Sequence, residues 1–98
     1  MVKETSQSVN GTSFHDTTIT TSVGRLIELF PNSYSDQNSG EDKVNFDFEL
    51  ETSTGEVFTI YDWKEYRPIH MDEQIRFHIG GFSKSVTEQA KSELLEML

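Results

Sequence analysis

The chain has 98 residues, with 8 Lys and Arg against 17 Asp and Glu, a formal charge of −9, and no cysteine. This length supports one domain with one modest core. Without thiols, neither a disulfide framework nor a thiolate metal site can be built. The charge keeps a small protein soluble and opposes direct binding of nucleic acid unless basic residues gather locally; along the sequence they are scattered. An acidic surface suits docking on a basic partner instead.

Residues 1–16 are rich in Ser, Thr, Gln and Asn without an apolar period, which predicts a flexible tail ahead of a single domain over 17–98. The start lacks an apolar h-region, and no run nears the roughly 18 apolar residues of a membrane span, so a soluble, cytoplasmic protein is expected. The β-branched run Thr17–Thr21 suits a short edge strand. Thr21 or Ser22 then caps a helix of about two turns, with Val23, Leu26, Ile27 and Phe30 on one stripe and Pro31 as its stop.

From Pro31 to Lys43 the chain reads as a polar loop. Asp36, Asn38 and Asp42 suggest calcium ligands, but the glycine and glutamate positions of an EF-hand loop do not match. Val44 to Glu51 alternates strictly. Val44, Phe46, Phe48 and Leu50 face one way, and Asn45, Asp47, Glu49 and Glu51 the other. Gly55 marks a hairpin into a second strand, Val57–Trp63, apolar on both faces. Asp62 and Lys64 continue its Phe58/Ile60 side. Pro68 ends any central strand. A third strand, Gln74–Ile79, stops at Gly80-Gly81, and a final helix starts at an expected Ser85 cap with Glu88 three residues on.

These elements predict an α+β fold: a three- or four-stranded antiparallel meander, with the short N-terminal helix and the C-terminal helix on one face. Period 2 then fixes the other face. Asp47 and Glu49 come from the first strand, Thr59, Tyr61 and Trp63 from the second, Arg76 and His78 from the third. Exposed Trp and Tyr beside Arg are the residue types that dominate binding hot spots. The strip could equally be buried by the 31–43 loop or the tail, pack in a homodimer, or hold a small ligand.

Chemistry beyond binding finds little support. His78 could act as a general base oriented by Asp47 or Glu49, but no nucleophile is identifiable. His70, Asp72, Glu73 and His78 have ligand chemistry in a spacing that matches no closed metal motif. Gly80-Gly81 is weak as a phosphate-binding turn.

The strings Phe58-Thr59-Ile60-Tyr61-Asp62-Trp63-Lys64 and Phe77-His78-Ile79-Gly80-Gly81, followed by a short terminal helix, resemble small acidic proteins encoded by bacteriophages and mobile elements. The resemblance covers about Val44 to Leu98. It implies action by binding and blocking a host protein, and no catalytic residues carry over. The expectation is a non-enzymatic binding or inhibitory protein without cofactor or metal. It would use Thr59, Tyr61, Trp63, Lys64, Arg76 and His78 on a host protein, with a homodimer as a second occupant. In the alternative, Trp63 or Tyr61 stacks on a nucleotide base while Lys64, Arg76 or the Gly80-Gly81 turn holds phosphate.

Overall fold

The computed structural model describes residues 1–36 and 43–98. The chain folds as an α+β protein with one antiparallel sheet of six strands and two helices. In chain order these are β1 (Lys3–Glu4), β2 (Ser13–Thr21), α1 (Val23–Leu29), β3 (Tyr34–Asp36), β4 (Phe46–Glu51), β5 (Val57–Tyr61), β6 (Ile75–Gly81) and α2 (Lys84–Met97). The expected meander is the centre, β4-β5-β6. Around it β2 pairs with β6 on one side, while β1 and β3 take successive stretches of β4 on the other.

The strand count corrects the three or four expected, and the additions come from stretches with little apolar signal. Residues 1–16, expected as a tail, contribute β1, the first part of β2 and the buried Val2. Tyr34–Asp36, expected as loop, pairs with β4. Of the residues weighed for calcium, Asn38 and Asp42 lie outside the described residues. Such strands are held by pairing with a preformed neighbour, so their sequences need little hydrophobicity of their own.

Over Phe46–Glu51 the alternation is realised as read, whereas Asn45, expected on the outer face, is buried against Asp62. Phe46, Phe48 and Leu50 are buried beneath the helices with Phe58, Ile60, Ile75, Phe77 and Ile79. Each such side chain contributes about 1.5–3 kcal/mol relative to exposure. Val23, Leu26 and Phe30 of the first helical stripe join this core, as do Ala90 and Leu94 from α2. Ser22 caps α1, its Oγ accepting from Arg25 N at 3.1 Å. Gly24 N donates to Met71 O at 2.8 Å, and a Cβ there would stand 2.9 Å from that oxygen, so the approach needs glycine.

Two boundaries differ from expectation. Gly80-Gly81 does not break β6: Gly80 pairs with Thr59 and Phe14, and Gly81 with Phe58 and Ser13. The cap of α2 is Ser83 rather than Ser85, with its Oγ accepting from Val86 N at 3.3 Å. The strand needs glycine at its end because α2 packs closely on it: a Cβ on Gly81 would lie 2.9 Å from Thr87 Cγ2. Among the described residues no helix is long and apolar enough to cross a membrane.

Segment 5–12 joins strands at opposite edges of the sheet, so it has to cross it. Val57 and Thr59, on the face away from the helices, are each only 6% exposed. The other end of that face, at Tyr61, Trp63 and His78, stays accessible.

Candidate functional site: an aromatic cluster on the uncovered face

Strand register assembles the site. Asp47 lies opposite Tyr61, Tyr61 opposite His78, and His78 opposite Thr18, giving one row across four strands. Directly paired side chains on one face are neighbours, about 4.5–5.5 Å apart at Cβ. The Tyr61 and His78 ring centroids are accordingly 5.5 Å apart, edge to face. Trp63 sets its ring 6.1 Å from Tyr61 at 79° and 6.1 Å from His78 at 27°. Phe14 closes the cluster, stacked on His78 at 4.0 Å. Trp63 is 40% exposed and Phe14 37%.

Cations gather on this aromatic surface. Lys43 Nζ lies 5.8 Å and Lys64 Nζ 5.6 Å from the Trp63 ring centroid, within cation–π range. Lys64 gets there because its φ of 56° is left-handed, which turns the chain after Trp63. That conformation costs a non-glycine residue about 1–2 kcal/mol. Lys64 N also donates to Lys43 O at 2.7 Å, which holds the two lysines together. Arg76 lies two residues before His78 on the same face of β6, its Nε donating to Thr18 Oγ1 at 3.2 Å.

Beneath this corner lies Asp62, fully buried. Its carboxylate accepts from Asn45 N at 2.9 and 3.0 Å, Phe46 N at 2.7 Å and Asn45 Nδ2 at 3.1 Å. Asp62 thus ties the start of β4 to the end of β5 and fixes where the chain leaves toward Trp63.

Of the six residues expected at the site, Tyr61, Trp63, Lys64, Arg76 and His78 reach this surface. Thr59 shares their face but is buried beside Gly80. Lys64 departs from the Phe58/Ile60 side on which period 2 places it, whereas Asp62 follows that side into the interior. Phe14 and Lys43 were missed. Phe14 is a single aromatic in a polar stretch, interrupted by the irregularity between Phe14 and Thr18. Lys43 carries no local signal, because only the Lys64–Lys43 backbone bond brings it to Trp63.

The candidate His78–carboxylate pair does not form, because β5 and Tyr61 stand between His78 and Asp47. Among the described residues no three His, Asp or Glu side chains converge on a metal-binding point. Burial lowers the His78 pKa from its ordinary 6.5, and the Arg76 guanidinium adds to the effect. Burial, then the Glu49 and Asp62 carboxylates, raises that of Asp47, whose Oδ1 is buried without a hydrogen-bond partner. Burial also raises Tyr61, with Asp47 contributing, so its hydroxyl stays protonated at neutral pH.

The His78 and Asp47 shifts have opposite consequences for stability. A histidine lowered in the fold contributes stability that is present above about pH 6.5 and lost as pH falls through its folded value. Urea midpoints should therefore decline as pH drops below about 6.5, and His78→Phe should flatten that decline. A carboxyl raised in the fold costs stability once pH passes its unfolded value, so Asp47→Asn should stabilise the protein at pH 7 and lose that advantage in strong acid. An unchanged slope in His78→Phe would place the histidine effect elsewhere.

No family model, no curated protein and no solved structure matches this chain.

Proposed function

We propose that this protein is a non-enzymatic binding module that occupies a surface of another protein through the Phe14–Tyr61–Trp63–His78 cluster. The observation that carries this reading is Trp63, the one tryptophan in the chain, 40% exposed among aromatic neighbours on the sheet face the helices leave free. A large aromatic side chain left in water favours association, since docking removes its apolar area from solvent. Its neighbours hold the ring in place beforehand, which reduces the entropy lost on binding. That the partner is a host protein blocked by a phage-encoded one rests on the sequence resemblance alone.

Trp63→Ala tests the reading. Truncating a central aromatic anchor should cost the complex about 2 kcal/mol or more, roughly 30-fold in affinity. Stability of the free protein should shift by only about 0.5 kcal/mol, as for an exposed position. Affinity capture from a bacterial lysate, with Trp63→Ala as the parallel bait, reads the first effect, and thermal melting the second. If the variant retains the same proteins as the parent chain, docking does not run through this face. A second copy of the chain is the other occupant to test, and light scattering would then give twice the 11.2 kDa chain mass, reverting to one in Trp63→Ala.

A further inference from the structure

We infer that this face is built for an acidic, apolar peptide segment of its partner, an inference that rests on the docking reading above. The argument is where the cations stand. In a chain of −9 carboxylates are abundant, and four of the eight basic residues pair with them. Lys3 pairs with Glu51, Arg25 with Glu28, Arg67 with Glu65 and Glu73, and Lys84 with Glu88. Among the described residues Lys43, Lys64 and Arg76 form no ion pair, and all three border the aromatic cluster; Lys91, on α2, is the other such cation. Lys64 is held over Trp63 by a left-handed backbone rather than being left to seek a carboxylate.

A partner segment that complements this corner places carboxylates between the Lys43 and Lys64 ammonium groups. It lays an apolar side chain on Trp63 and Tyr61. Opposite charges there steer the encounter and fix the register, while the aromatic contact supplies most of the affinity. A nucleic acid fits less well. Its phosphate chain needs a groove of cations tracking several nucleotides. Here three cations sit at one corner rather than along a groove.

Because Trp63 is the sole tryptophan, its emission reports binding at this corner. The probes are a capped peptide alternating glutamate and leucine, the same peptide with lysine for glutamate, and a short oligothymidylate. The glutamate peptide should change Trp63 emission saturably, and binding should weaken about tenfold between roughly 0.05 and 0.5 M salt as the charges are screened. Lys43→Glu/Lys64→Glu should weaken it at least about tenfold and favour the lysine peptide instead. Lys43→Glu/Arg76→Glu gives the same readout if the first variant does not fold.

Three results would overturn the inference. They are equal binding of the two peptides by the parent chain, glutamate-peptide binding unaffected by both charge reversals, or a response to oligothymidylate alone or to none of the probes. If the charge reversals leave capture of partner proteins intact while Trp63→Ala abolishes it, docking stands and the acidic-segment inference falls. If Trp63→Ala changes nothing, the docking reading itself fails.

Discussion

Asp62→Ala is expected to destabilise the fold by about 3–5 kcal/mol. The side chain is fully buried, and its two oxygens take up the backbone N–H groups of Asn45 and Phe46 together with Asn45 Nδ2. Alanine would remove the carboxylate that both backbone donors bond, and each buried donor that loses its bond costs about 1–3 kcal/mol. Water entering the vacated volume would recover part of that cost, which keeps the total below a simple sum. Domains of this size have about 5–10 kcal/mol in hand, so the variant should be only marginally folded at 25 °C. Asp62→Asn should fall between the two. Its amide oxygen can still accept from Phe46 N, but its NH2 group then meets Asn45 donors. Urea denaturation gives the free energies, and hydrogen exchange at the Asn45 and Phe46 amides locates the loss. An Asp62→Ala protein within about 1 kcal/mol of the parent would show that these bonds contribute little net stability.

That residue also shows how far the sequence could be read. Period 2 places Asp62 on the Phe58/Ile60 side, but a carboxylate at a strand end ordinarily signals departure from the core. What makes burial tolerable is the backbone of Asn45 and Phe46, 17 and 16 residues earlier, a tertiary partner that periodicity cannot show. The same division runs through the fold. Elements whose apolar spacing drives their own burial were legible: β4, the centre of β5, β6 up to Ile79, and the Val23, Leu26 and Phe30 stripe of α1. β1, β3 and the start of β2 were not, because they gain from pairing with β4 and β6 rather than from their own side chains. At the site, alternation identified Tyr61, Trp63 and His78. Phe14 required knowing that β2 lies beside β6, and Lys43 that a left-handed turn at Lys64 brings two lysines together.

Gly80→Ala should cost about 1–3 kcal/mol, and the loss should be largely recovered by a second change, Thr59→Ala. Replacing a strand glycine with alanine ordinarily stabilises by about 0.5–1 kcal/mol, so a net loss here would have to come from overpacking. An added Cβ would stand 2.7 Å from Thr59 Oγ1 and 3.4 Å from Tyr61 Cε1, with Ser13 O at 3.6 Å. Thr59 cannot move away cheaply, because it is directly paired with Gly80 and buried on the same face. The strain would therefore pass to Tyr61, whose ring meets Trp63 edge to face, and Trp63 emission should shift in Gly80→Ala without any ligand. Thr59→Ala removes the atom nearest the new Cβ. The double variant should then lose less than the sum of the singles, by a coupling of about 1 kcal/mol, and its emission should return toward that of the parent. Additive losses would mean that the sheet opens at Gly80 rather than compressing Thr59. Phe14, opposite Gly80 on β2, would then be displaced from His78, and the aromatic surface would be lost with the strand pairing rather than with Tyr61.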